Sequence, residues 1–119
     1  MKGDDFIKNQ KCEVIMRKNS ISIYHKEEIA YFTIHEHPYS LSISTGEYEG
    51  KGLAKLMIKL LCEKVNFDPQ TLIYIDADSS NGFWEAVGFK PNPYYDIKGK
   101  EESGYELVIE FGKLMEWSN

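Results

Sequence analysis

The stretch that decides the fold is Ser44-Thr-Gly-Glu-Tyr-Glu-Gly-Lys-Gly-Leu-Ala-Lys-Leu-Met-Ile-Lys-Leu-Leu61. It follows an alternating run over 40–45 and passes through three glycines. It then continues with apolar residues at positions 53, 56, 57, 60 and 61, which is the spacing of one helix face. A strand, a glycine-rich turn and a helix in this order direct free backbone N–H groups and the positive end of the helix dipole at the turn. That arrangement favours an anion above the turn.

Two lysines, Lys51 and Lys55, fall in the first turns of this helix, where a cation is unfavourable by about 0.3–1 kcal/mol. A phosphate bound at the turn would make both lysines favourable. The alternative is that Glu47 and Glu49 neutralise them and that the turn binds nothing. The glycine pattern does not decide between the two, because loose glycine patterns often occur by chance.

Composition places the chain in a broad class. Its 119 residues, 42% hydrophobic and 28% charged, predict one folded domain over residues 1–119. The net charge of −5 argues against a nucleic-acid partner, and no apolar run approaches the roughly 20 residues needed to span a membrane. Residues 1–10 are not a signal peptide. Cys12 and Cys62 lack metal-ligand spacing, which predicts reduced thiols, no metal site and a cytoplasmic location.

The flanking sequence predicts a mixed sheet. Short strands are expected at 12–18, 20–24, 28–36 and 40–45, mostly antiparallel, with residues 1–10 loose and no early helix. After the central helix, the apolar run at 71–75 predicts a buried strand parallel to 40–45. A short second helix is expected at 83–87, irregular chain around the prolines at 91 and 93, and strands at 94–98 and 105–111.

Two segments resemble one known family. Glu47–Ala54, after a strand, resembles the acyl-CoA pyrophosphate loop of the GNAT superfamily of N-acetyltransferases. Gly82–Phe89 is similar to the Phe-Tyr-x-x-x-Gly-Phe segment of that family. With a closing hairpin, the resemblance covers roughly residues 20–112. It implies an α/β (α+β) fold, with a mixed, mostly antiparallel twisted sheet, two splayed parallel central strands and two helices, and without the family's usual early helices.

The resemblance also implies a function and a set of site residues. Acetyl-CoA would be the acyl donor, and a small-molecule or peptide amine would attack the thioester directly. The pantetheine arm would pair with strand backbone, and the amides of the turn would hold the pyrophosphate, with Gly50 and Gly52 allowing close approach. The cofactor contacts implied in this way are Ile43, Ser44, Thr45, Tyr48, Glu49, Gly50, Lys51, Gly52, Leu53, Ser79, Asn81, Phe83 and Trp84. The chain is expected to act as a monomer or a homodimer.

Two residues are candidates for the catalytic steps. Glu36 is the candidate general base, although its turn can equally be solvated surface, and Tyr94 is the candidate general acid. Trp84 replaces a tyrosine that in many members protonates the leaving thiolate, and an indole is only a donor. We expect Trp84 to line the cofactor slot, because Phe83 and Val87 already supply a buried face. The alternatives to an enzyme are a non-catalytic acyl-CoA-binding module and a structural domain without a ligand.

Overall fold

A computed structural model describes residues 1–76 and 82–119. The helices are α1 (Lys2–Gln10), α2 (Leu53–Val65), α3 (Phe83–Val87) and α4 (Phe111–Ser118), with a 3₁₀ turn at Glu101–Gly104. The strands are β1 (Glu13–Met16), β2 (Ser20–His25), β3 (Glu27–His35), β4 (Ser40–Ser44), β5 (Leu72–Ile75), β6 (Lys90–Pro91) and β7 (Leu107–Glu110). In the described part of the chain the strands form one mixed sheet in the order β1-β2-β3-β4-β5-β7-β6, which confirms the predicted α/β class. The expectation of only two helices was wrong, since four are present there.

The chain divides into two compact units. Unit 1 holds residues 1–34, 42–66 and 118, and unit 2 holds residues 35–41, 67–117 and 119. Strand β4 contributes residues to both units. The single domain expected over residues 1–119 remains a prediction.

Unit 1 is an antiparallel meander with a long helix. Strands β1, β2 and β3 pair in order, with a bulge between Ile23 and Tyr24. Four of the five residues on the predicted apolar face of α2 are buried, and the fifth, Leu60, is half-buried. Strands β2 and β3 add the buried residues Ile21, Ile23, Phe32 and Ile34 to the same unit. The helix ends where Asn66 turns left-handed with a φ of 48°. Near that end, Lys64 Nζ donates a hydrogen bond to the carbonyl of Arg17.

Helix α1 corrects the expectation that residues 1–10 are loose. A nine-residue helix is marginal by itself, so tertiary contact must stabilise it. That contact is at Gly3, which is buried: a Cβ there would lie 2.6 Å from the carbonyl oxygen of Gly52 and 2.9 Å from the Leu56 Cβ. Gly3 is therefore the point at which α1 packs closely against α2.

Unit 2 contains the parallel pair and the closing hairpin. Strands β4 and β5 are parallel, as predicted, with the single register pair Ser40↔Tyr74. Strand β7 pairs antiparallel with β5 on one side and with β6 on the other.

Three boundaries in unit 2 differ from the prediction. Residues 94–98 form turns and not a strand. Pro91 lies in the edge strand β6, where a missing N–H is tolerated. The last strand is shorter than predicted: Phe111 and Gly112 donate their N–H groups to the carbonyls of Thr71 and Pro69, and α4 begins at Phe111.

Across residues 1–76 and 82–119, no helix combines the length and the apolar character that crossing a membrane requires.

Candidate functional site

The turn between β4 and α2, residues 45–52, is here named the glycine loop. Its first bend is held by two hydrogen bonds, from Gly46 N–H to Ser44 Oγ (3.2 Å) and from Tyr48 N–H to the Thr45 carbonyl (2.9 Å). Gly46, Gly50 and Gly52 have φ values of 53°, 78° and 78°. Residues with a Cβ rarely adopt this left-handed region, so the glycines are required by the backbone itself.

The glycine loop ends at the start of α2. Gly52 caps the helix, no side chain caps it, and the first backbone bond runs from Leu56 N–H to the Gly52 carbonyl. The N–H groups of Leu53 and Ala54 precede that bond, and the first N–H groups of an α-helix have no partner in its ladder. Lys51 is exposed and lies between two left-handed glycines. Backbone with alternating handedness turns successive N–H groups toward one side, which is a geometry suited to an anion.

Helix α1 covers one side of the glycine loop. A Cβ on Gly52 would lie 2.8 Å from the Gly3 nitrogen and 3.0 Å from the Lys2 Cβ, and the Phe6 and Tyr48 rings meet edge to face at 5.6 Å. The expectation that Gly52 leaves room for a phosphate was therefore wrong, because α1 occupies that space. At Gly50, by contrast, an added Cβ would meet nothing within 4 Å.

The remaining cofactor residues predicted in unit 1 lie within the glycine loop or directly beside it. Ile43, Ser44 and Thr45 are half-buried at the end of β4, and Leu53 is buried at the start of α2. Tyr48 is half-buried, whereas Glu49 is exposed. The structure thus brings the nine predicted residues from Ile43 to Leu53 together on one connected segment of unit 1.

In unit 2, the two aromatic residues of α3 have the opposite exposure from that expected. Trp84 is 6% exposed and packs edge to face on Phe89, with 5.3 Å between ring centroids. Phe83 is 39% exposed, and its ring lies 5.8 Å from that of Trp117. The indole is thus a core residue of unit 2, and Phe83 is the accessible aromatic. Ser79 and Asn81 lie outside the described residues.

The two catalytic candidates also lie in unit 2. Glu36 is exposed in the turn between β3 and β4. Tyr94 is 39% exposed and follows Asn92. Among residues 1–76 and 82–119, no group of three His, Cys, Asp or Glu side chains is placed to hold a metal ion.

Asn92 is a residue that the sequence analysis missed. It is 5% exposed, and its Nδ2 donates to the carbonyls of Glu102 (2.9 Å) and Tyr105 (2.8 Å). Its Oδ1 accepts from Tyr94 N–H (3.0 Å). The signal available in the sequence was its position between Pro91 and Pro93. Because proline has no backbone N–H, this part of the chain has few donors, and a side-chain amide can replace them. One side chain thereby positions the backbone of the whole 92–105 segment.

Tyr74 is a buried tyrosine of β5 whose pKa is shifted. Burial raises the pKa of Tyr74, and the negative charge of Glu102 raises it further. Tyr94 and Glu101 make smaller contributions in the same direction. The hydroxyl therefore keeps its proton at neutral pH.

Neither cysteine has the properties of a reactive thiol. Cys62 is fully buried on α2, and burial, with the charge of Glu63 second, raises its pKa to about 12. Burial also raises the pKa of Cys12. Reactive thiols have lowered pKa values, and Cys62 is instead a buried packing residue of α2.

No protein-family model, curated protein or solved structure matches this chain. The resemblance to N-acetyltransferases therefore rests on residues 47–54 and 82–89 and on the order of the elements around them.

Proposed function

We propose that the chain binds acetyl-CoA at the glycine loop and transfers the acetyl group to an amine. The observation that carries the proposal is the exposed segment at Gly50 and Lys51, directly before the first turn of α2, which no side chain caps. A Cβ at Gly50 would cover that backbone, so the position suits a ligand that must approach the main chain closely. The order of elements, with parallel strands β4 and β5 flanking α2, also agrees with the resemblance.

Different residues of unit 1 would contact different parts of the ligand. The pyrophosphate would accept hydrogen bonds from amides of the glycine loop and would lie near the Lys51 ammonium. The pantetheine arm would pair with the backbone of Ile43–Thr45, as an added strand does. The Ser44 hydroxyl already holds Gly46 N–H, so its main role is to fix the bend.

Acetyl-CoA would supply an activated thioester, whose acetyl carbon forms a bond with the amine nitrogen while the bond to sulfur breaks. The chain must then remove a proton from the amine and return one to the leaving sulfur. Glu36 is the proposed base and Tyr94 the proposed acid, because both are exposed and of suitable type.

A second candidate is an acyl-CoA-binding module without catalysis. The buried Trp84 favours it, because an indole N–H in the core of unit 2 does not replace an acidic hydroxyl near the leaving group.

Calorimetry with CoA tests the binding step. Lys51→Glu should weaken CoA binding at least about tenfold, since it replaces an attraction to phosphate by a repulsion. Lys18→Glu is the matched control: it makes the same charge change beside Arg17, whose carbonyl contacts the last turn of α2. That turn is about 20 Å from the glycine loop along a helix of 13 residues. Absence of CoA binding, or equal effects of both variants, would refute the site.

Release of free thiol from acetyl-CoA, measured with and without a pool of amines, tests the transfer step. Amine-dependent release supports an enzyme, and loss of release in Glu36→Gln supports its role as the base. CoA binding without any thiol release would instead select the non-catalytic module.

A further inference from the structure

Unit 2 gathers a second group of polar and aromatic side chains, here named the tyrosine–glutamate cluster. Its members are Tyr74, Tyr94, Tyr105, Glu101 and Glu102. Three of them are fixed by one buried residue, since Asn92 holds the backbone of Tyr94, Glu102 and Tyr105. Tyr74 joins them from β5, with its ring centroid 6.1 Å from that of Tyr105. The cluster is therefore set by buried hydrogen bonds and ring contact.

The Tyr74 hydroxyl indicates that the cluster is open to a ligand. Tyr74 is 5% exposed, and no side-chain hydrogen bond described within residues 1–76 and 82–119 involves its hydroxyl. In the same part of the chain, no fully enclosed side-chain oxygen or nitrogen lacks a partner. The hydroxyl must therefore reach solvent although the rest of the side chain is buried. A polar group in this position is available to an incoming ligand.

The charge expected of the ligand follows from the charged groups around that hydroxyl. Glu101 and Glu102 supply two carboxylates, and after burial their negative charges contribute to the raised pKa of Tyr74. Aromatic faces attract cations through the ring quadrupole. A cation already uses one face of the cluster, because the Lys100 ammonium lies 5.3 Å from the centroid of the Tyr94 ring. Carboxylates, ring faces and a hydroxyl oxygen together are suited to an ammonium group.

We infer that the tyrosine–glutamate cluster binds an organic cation of the primary alkylammonium class. The ammonium would lie over the Tyr94 ring, donate to the Tyr74 hydroxyl and be balanced by the two glutamates. Lys100 then acts as an internal competitor for the ring. The identification of this cation as the acetyl acceptor rests on the proposed function, whereas the binding of the cation does not.

The test is an NMR titration of the full chain with 1,4-diaminobutane, without acetyl-CoA and at constant ionic strength. Saturable shifts of the tyrosine ring signals are expected, and 1-butanol, the uncharged control of equal chain length, should give none. Absence of saturable shifts in both the parent and Lys100→Met would overturn the site. Equal shifts with 1-butanol would show that charge is not recognised and would also overturn it.

Variants distinguish the ring site from general attraction to negative charge. Lys100→Met should strengthen binding about two- to fivefold more than Lys98→Met, because both remove one charge but only Lys100 lies over a ring. Tyr74→Phe should weaken binding by removing only the hydroxyl, and Glu101→Gln with Glu102→Gln should weaken it further. An equal increase in affinity in the two lysine variants would show that the cation does not bind over the Tyr94 ring.

The titration also separates this inference from the proposed function. If diaminobutane binds but is never acetylated, the cation site stands and its identification as the acetyl acceptor fails. If CoA binds and diaminobutane does not, the cation site fails and the glycine loop stands.

Discussion

Gly3 and Gly52 lie against each other with no room for a side chain on either. A Cβ on Gly3 would lie 2.6 Å from the Gly52 carbonyl oxygen, and a Cβ on Gly52 would lie 2.8 Å from the Gly3 nitrogen. The start of α1 is thus packed on the residue that ends the glycine loop. The conformation of the loop and the folding of α1 are therefore coupled.

This contact predicts that Gly3→Ala destabilises unit 1. The methyl group has to displace backbone, and overpacking of this kind costs about 1–3 kcal/mol. Urea unfolding should show the loss, together with a lower helix signal in circular dichroism. Gly104→Ala is the control, because nothing lies within 4 Å of its Cβ position. Equal stability of the two variants would show that α1 does not pack at Gly3.

Gly50→Ala should weaken CoA binding by at least about tenfold while costing only about 1–2 kcal/mol of stability from the left-handed backbone. The new methyl group meets no protein atom within 4 Å and would stand where the phosphate approaches. Gly99→Ala is closely matched, since Gly99 has a φ of 87° and equally open surroundings. Calorimetry on both variants checks the prediction. A Gly50→Ala protein with parent affinity would remove the phosphate from this loop.

Asn92→Asp should lower the free energy of unfolding by about 2–5 kcal/mol, because two part-buried carbonyls lose their donor and face a carboxylate. The carbonyls of Glu102 and Tyr105 are the groups affected. Chemical denaturation gives the value, and Asn119→Asp, at an exposed residue, controls for the added charge. An unchanged midpoint for Asn92→Asp would mean that the side chain does not organise the 92–105 segment.

The raised pKa of Cys62 predicts a pH dependence of stability. In the unfolded chain the thiol titrates at its ordinary value of 9.0, and in the folded chain at about 12. Above pH 9 the folded state therefore binds more protons than the unfolded state, so the free energy of unfolding falls as pH rises from 9 to 12.

Cys62→Ala isolates this effect. The variant is expected to be less stable at neutral pH, because a buried side chain is shortened, and to lose less stability than the parent between pH 9 and 12. Parallel curves for the two proteins over that range would contradict the raised pKa. Denaturant titrations at several pH values provide the measurement.

The elements that could be predicted from the sequence are those with a periodic pattern of apolar residues. Helix α2 and strands β2, β4 and β5 follow from their apolar spacing, and the parallel pairing of β4 with β5 follows from the helix between them. Helix α1 was missed because its stability comes from the close approach of Gly3 to Gly52, and two glycines far apart in sequence carry no local pattern.

Within the candidate site, the bend of the glycine loop was predictable and the surroundings were not. A five-residue helix is too short for spacing to assign its faces, so the burial of Trp84 against Phe89, with Phe83 left accessible, had no signal in the sequence. Asn92 was missed for a related reason, since its partners lie 10 and 13 residues away. Contacts of that separation are decided by tertiary packing.

The chain can be lengthened at residues 97–99, because Asn92 holds the segment through Tyr94, Glu102 and Tyr105, which lie on either side of these residues. Asp96 N–H also donates to the Ser103 carbonyl. This bond joins the two ends of the loop formed by residues 96–103. Gly99 is exposed, and nothing lies within 4 Å of its Cβ position. Each doubling of a flexible loop costs only about 0.6 kcal/mol. A short reporter peptide inserted after Gly99 should therefore leave Asn92 and its three partners in place.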